Sequence, residues 1–311
     1  MNYPIFFNST NSLNLFGLKN NFNFISSLYS KQKLPKVLMF SGTKGSGKST
    51  LINHFLYSIF DPQNYDRKEF ILSKNSSFFT QFKSYTFPNI IYLNGDNFKS
   101  IKVEDIRNLK KTILKTSISN LDRFIIFDDV DIFNQNSLNA LLKIIEEPAK
   151  KNYFFLINNK SNQVLETIKS RALEINIILA ESQRLEIIDN LVSYHELKLV
   201  LDPKTSNLSP GNFIKFNHIC NEYNISPTND LIENLKLLLS LHKKNKDILF
   251  INMAFFMVDY YFKYLKDNRL LKIDNIYEVK NYIFNHLNNY ILYNINQTSI
   301  INNLSEKLNY E

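Results

Sequence analysis

Residues 42–50 read Gly-Thr-Lys-Gly-Ser-Gly-Lys-Ser-Thr, and no other stretch of the chain restricts its fold so tightly. Gly42, Gly47, Lys48 and Ser49 satisfy the pattern G-x-x-x-x-G-K-[ST], with Thr43, Lys44, Gly45 and Ser46 between them and Thr50 following. Such a loop works only between a buried strand and a helix. The apolar run Val37-Leu38-Met39-Phe40 precedes it, and Leu51-Ile52-Asn53-His54-Phe55-Leu56 follows it as the start of a helical pattern. Glycines let successive backbone N–H groups converge on phosphate oxygens. The start of the following helix adds a field that favours anions. Lys48 is placed to neutralise the outer phosphates of ATP or ADP, and Ser49 to ligate Mg²⁺.

Further apolar runs read as strands at 36–40, 89–93, 123–127, 153–157 and 173–178. Helical periodicity separates them. Residues 104–116 put Ile106, Leu109 and Ile113 on one face; residues 134–147 put Leu138, Leu141, Leu142 and Ile145 at helical spacing until Pro148 stops the run. Strands alternating with helices predict an α/β doubly wound parallel sheet, with ligands at the carboxyl ends of the strands. The 123–127 strand runs into Asp128-Asp129. An acidic residue at a strand tip downstream of a phosphate loop is a Walker B arrangement. Asp128 is then the residue for the Mg²⁺ water shell. Asp129 stands where an ATPase of this kind carries its base, usually Glu, and it is one methylene shorter. A carboxylate displaced by roughly 1.5 Å costs orders of magnitude in rate. Asn158 and Asn159, at the end of the 153–157 strand, can sense a γ-phosphate or simply make a turn.

Beyond residue 180 the pattern becomes helical: 181–192, a Leu208-Ser209-Pro210-Gly211 turn, a run to about Cys220, a linker at 224–229, and helices from 230 to 311. Residues 61–87 read as an irregular, aromatic insertion. The formal charge of +8 suits an acidic or nucleic-acid partner, but the abundance of Asn, Ile, Lys and Phe fits AT-biased coding as well. Lys102, Arg107, Lys110, Lys111 and Lys115 share one helical region, suited to DNA phosphates or to a solvated face. The one cysteine, Cys220, excludes a disulfide framework and an all-Cys zinc site. Residues 248–264 form the longest apolar stretch, broken by Asn252, Asp259 and Lys263, so no membrane span is expected. A cytoplasmic location is expected.

The segment Asn139-Ala140-Leu141-Leu142-Lys143-Ile144-Ile145-Glu146-Glu147-Pro148 resembles the N-A-L-L-K-x-L-E-E-P segment of bacterial clamp-loader AAA+ subunits. Ser170-Arg171-Ala172 is similar to that family's Ser-Arg-Cys, residues 101–107 to its I-x-V-D-x-I-R helix start, and Ser209-Pro210-Gly211 to the S-P-G-R turn of its delta prime branch. The resemblance covers roughly residues 10–220. It implies an AAA+ core at 1–179, a small helical lid at 180–224 and an all-α collar at 225–311. It implies a hetero-pentamer that loads a sliding clamp onto primer-template DNA. In it, Arg171 would act in trans on a neighbour's ATP site. Three departures are visible. Asn212 replaces the arginine of the turn, Asp129 replaces the usual Glu, and residues 61–87 lack the four cysteines with which many relatives bind zinc. The first two speak against hydrolysis in this chain's own site. An ATP-hydrolysing gamma-like or tau-like motor is the alternative. A P-loop kinase is the remote one, since it leaves 139–148 unexplained.

Overall fold

The computed structural model describes residues 3–94, 104, 106, 108, 109, 121–227, 230–268 and 276–309. Two compact units emerge. The first comprises Tyr3–His195 with Ser209–Asn212, and the second comprises Glu196–Leu208 with the chain from Phe213 onward.

The first unit is built on a five-stranded sheet in which every pairing is parallel. Its strands are β1 (Val37–Ser41), β4 (Ile90–Asn94), β5 (Arg123–Asp128), β6 (Asn152–Asn158) and β7 (Leu173–Asn176), with β2 (Tyr65–Asp66) and β3 (Ile71–Leu72) forming a separate hairpin. The spatial order is β4-β5-β6-β1-β7. All five residues of β1 are buried, as expected of a strand covered on both faces. Alternation divides them between two cores. Leu38 and Phe40 join Phe124, Ile126, Phe155 and Ile157 under the helices Lys19–Ser30 and Lys48–Phe60. Val37 and Met39 join Ile125, Phe127, Phe154 and Leu156 under the helix Gln135–Ile145, with Ile106 and Leu109.

The helix Gln135–Ile145 starts where Asn134 caps it: the Ser137 N–H donates to Asn134 Oδ1 at 2.9 Å. It buries Leu138, Leu141, Ile144 and Ile145 and stops three residues before Pro148, whose ring disfavours helical backbone just ahead of it. Of the predicted 104–116 helix, Glu104, Ile106, Asn108 and Leu109 are helical; the rest, with Arg107, Lys110, Lys111 and Lys115, lies outside the described residues, as does Lys102 before it.

The stretch expected to be irregular carries the β2–β3 hairpin and a helix, Ser77–Lys83, capped by Ser76. Aromatic packing orders it. Phe78 sits among Tyr57, Phe60, Phe82 and Phe87, with ring centroids 4.7–6.1 Å apart. The hairpin also receives the N-terminal segment: Leu15 N donates to Phe70 O at 3.1 Å, and Leu72 N to Leu13 O at 2.9 Å.

In the second unit the helices Leu231–Asn245, Ile248–Asp267, Ile276–Tyr293 and Gln297–Asn309 bury a common core that includes Leu235, Leu238, Met253, Met257, Ile283, Leu287 and Leu304. Ile248–Asp267 is long and apolar enough to cross a membrane by length and composition. Its Phe250, Ile251, Met253, Ala254, Met257 and Val258 are buried among the other helices, so it is a core helix. Cys220 is fully buried, and burial pushes its thiol up to about 12, which leaves it unreactive.

Truncating Phe78 tests the aromatic cluster. Phe78→Ala is expected to destabilise the first unit by about 3–5 kcal/mol, read as a lowered urea midpoint with an unchanged slope.

Candidate functional site

Four strand tips converge on one point. The phosphate loop leaves β1 after Ser41, and the Gly42 N–H donates to Asn158 O at the end of β6 at 3.1 Å. On the other side, Ile177 N donates to Ser41 O at 2.7 Å, just beyond β7. Asp128 ends β5. The site thus lies at the carboxyl ends of the strands, beside an interior strand flanked on both sides by parallel neighbours.

Gly45 and Gly47 take φ of +85° and +92°, backbone that side chains rarely adopt, and Gly47 caps the helix Lys48–Phe60. Lys48 is buried, and its Nζ donates to Gly42 O at 2.6 Å and Thr43 O at 2.7 Å. Burial lowers its ammonium to about 8, against the upward pull of Asp128, Asp129 and Asp131. The ammonium therefore sits inside the curl of the loop, with three carboxylates close enough to act on it. Ser46 is buried beside it, Thr43 and Lys44 are exposed, and Ser49 and Thr50 are half-buried in the helix's first turn. Curl, helix start and buried lysine together fit a phosphate group.

A second segment closes over the loop from far along the chain. Ser209 Oγ donates to Lys44 O at 2.6 Å, and Gly211 N to Gly45 O at 2.8 Å. A methyl group at Gly45 would lie 2.5 Å from Ser209 Oγ and 2.8 Å from Asn212 N, so both strained backbone and close approach demand glycine there. Asn212 therefore stands directly against the phosphate loop. Pro210, expected in a turn, opens the helix Pro210–Glu222 instead, in keeping with its preference for a first helical turn.

The acidic side is crowded. Asp128 Oδ2 accepts from the Tyr92 hydroxyl, and Asp128 Oδ1 from the Asp129 N–H at 2.9 Å. Burial, then the charge of Asp129, raises the Asp128 carboxyl to about 6. Burial and the charge of Asp128 push the Tyr92 hydroxyl well above its ordinary range, so it remains a donor. Asp129 is buried with φ of +53°. Its Oδ2 lies 3.4 Å from Lys44 Nζ, and its Oδ1 accepts from Asn159 Nδ2. Asp131, also buried, accepts from Asn159 N at 3.0 Å and Ser161 N at 2.8 Å. No hydrogen bond between the described residues joins Ser49 to Asp128. The carboxylates here are engaged by the chain itself, so this donor set does not fit a divalent cation as it stands.

Asn158 and Asn159 divide their work. Asn158 Nδ2 donates to Ser41 Oγ at 3.1 Å and its Oδ1 accepts from Lys160 N at 2.9 Å, which ties β6 to β1. Asn159 is the one that reaches the acidic cluster. Arg171 lies elsewhere, after the short helix Glu166–Lys169. Its Nη2 pairs with Glu146 Oε1 at 3.0 Å and its Nη1 donates to Thr167 O at 2.8 Å. Glu146 and Arg171 come from two of the sequence segments that resemble clamp-loader motifs, and they meet in this ion pair. Sequence reasoning missed Tyr92 and Asp131. Tyr92 carries no motif, and only the β4–β5 register, with Leu93 opposite Phe127, brings it to Asp128.

Because the folded protein holds Asp128 near 6 against an ordinary 3.8, its ionised form is disfavoured in the fold. The cost is absent below the ordinary value, grows as pH rises through the interval, and is complete above about 6, on the order of 2–3 kcal/mol. Asp128→Asn is expected to raise the unfolding free energy by that amount at pH 7.5 and by about half as much at pH 5. Chemical denaturation at the two pH values measures it.

The profile of the family described as DNA polymerase III, delta subunit, matches residues 17–180, more than half of the chain. DNA polymerase III subunit delta' of Buchnera aphidicola from Schizaphis graminum is 29% identical over 218 residues, 67% of this chain and 59% of that protein. DNA polymerase III subunit gamma of the same bacterium is 28% identical over 102 residues, 32% of this chain and 28% of that one. The chain thus spans less than two thirds of the length of these curated relatives. A gamma subunit-related protein of DNA polymerase III from Thermotoga maritima superposes over 91% of this chain and 96% of its own, at 14% identity and a TM-score of 0.45. With the segments at 139–148, 170–172 and 209–211, the profile match establishes the lineage: the chain belongs to the DNA polymerase III delta-subunit family of AAA+ clamp-loader subunits.

Proposed function

We propose that this chain is a delta prime-type subunit that supports ATP-dependent loading of the sliding clamp onto primed DNA, binding ATP or ADP at 42–50 without hydrolysing it. One observation carries this reading. Asp129, at the position of the catalytic base, has one oxygen on Lys44 and the other on Asn159. Asn212, against Gly45, brings no charge to the γ-phosphate position. The catalytic part of the chain is then Arg171. Its side chain is 39% exposed at the surface of the first unit, paired with Glu146 and held by Thr167 O. A guanidinium so presented suits the ATP site of a neighbouring subunit, where it stabilises charge on the transferring phosphoryl group.

In this reading the chain has a core at 1–179, a lid at 180–224, and a collar at 225–311 that joins the other subunits. Partners are four further clamp-loader subunits, the clamp and primer-template DNA, in the cytoplasm. A gamma-like motor is the second reading. The well-formed loop around Lys48 and the gamma relative favour it.

Clamp- and primer-stimulated ATP hydrolysis by the reconstituted five-subunit assembly separates the two. Removing an arginine of this kind costs about 10³-fold or more at the site it serves. Arg171→Ala is therefore expected to remove that neighbouring site's whole share of turnover, while Lys48→Ala leaves turnover nearly unchanged. If Lys48→Ala removes a comparable share, the chain is a motor.

A further inference from the structure

The engaged carboxylates at the tip of β5 have a consequence for what the phosphate loop binds. In nucleotide sites of this architecture, Mg²⁺ keeps most of its waters and meets the strand-tip acid through one of them. That arrangement requires a carboxylate oxygen turned toward the loop and free to rotate onto a water. Here Asp128 is held at both ends. Tyr92 donates to Oδ2 from β4, and the Asp129 N–H fixes Oδ1. Tyr92 is itself braced, with its ring 5.6 Å from that of Tyr85. The neighbouring acids offer no substitute. Asp129 is bound to Lys44 and Asn159, and Asp131 to the N–H groups of Asn159 and Ser161. On the phosphate side the chain brings two ammonium groups rather than one: Lys48 inside the loop, and Lys44 bridging from the loop to Asp129.

We infer that Tyr92 occupies the place at Asp128 that a hydrated Mg²⁺ takes, so that this chain binds nucleotide free of metal, its lysines supplying the counter-charge. This rests on the reading that 42–50 binds nucleotide, and it names the form of the ligand: the uncomplexed di- or triphosphate. Tyr92 is then a residue that sets ligand form. It touches the acid and not the nucleotide.

The test is equilibrium binding of fluorescent (methylanthraniloyl) ADP and ATP to the full chain, in EDTA and in millimolar Mg²⁺. The wild type is expected to bind both, with affinities that differ by less than about twofold between the two conditions. Tyr92→Phe keeps the ring and its packing but frees Asp128 Oδ2. It is expected to bind at least about tenfold more tightly with Mg²⁺ than in EDTA. Wild-type binding that weakens tenfold or more in EDTA overturns the inference alone and leaves the loop as a nucleotide site. No binding in either condition overturns the nucleotide reading and this inference with it. The wild-type comparison stands even if the variant fails to fold. If Tyr92→Phe folds and remains indifferent to Mg²⁺, the assignment to Tyr92 fails.

Discussion

The geometry of the site hangs on how β1 ends. Its last residue is gripped from both sides: Ile177 N donates to Ser41 O, Asn158 Nδ2 to Ser41 Oγ, and Gly42 N to Asn158 O one step later. An interior strand with parallel neighbours on both sides allows this, because both neighbours end at the same level. The loop that follows has little freedom left. Its curl closes on Lys48, whose ammonium bridges two of its carbonyls. With the loop fixed, the positions of Lys44 and Gly45 are fixed too, and these receive Asp129 on one side and Ser209 with Gly211 on the other.

The charged groups of the site also act on one another. Lys48 is drawn down by burial yet held by three nearby carboxylates. Asp128 is raised by burial and by Asp129. An unpaired charge in such a place costs several kcal/mol, so paired groups are the stable outcome. The pairing also decides the chemistry. An acid whose two oxygens each accept from its own chain is less free to turn onto a water or a metal than its position in the motif suggests.

The sheet was legible in the sequence because its strands are apolar runs of near-uniform burial and its helices keep strict periodicity. The predicted and observed strands differ by one or two residues at their ends, where hydrogen bonds rather than side-chain type set the boundary. The phosphate loop was legible because its glycines and lysine have few other uses in combination. Tyr92 was not, since a tyrosine near a strand end has no signature and its contact depends on register. The packing of 61–87 was hidden for a different reason. Aromatic residues there lock together edge to face without any repeat along the chain. The contact of Ser209 with Lys44 spans 165 residues, beyond the reach of any local pattern.

That last separation bears on how the protein is made. Lys44 and Gly45 leave the ribosome long before Ser209 and Gly211 exist, since Ser209 is the 165th residue added after Lys44. At common synthesis rates the delay is on the order of 10 to 30 seconds. Through that time the sheet can assemble, since every one of its strands lies before residue 177. The phosphate loop, however, remains without its cover. The nascent chain therefore passes through a stage in which every strand of the sheet has been made and Ser209 and Gly211 have not.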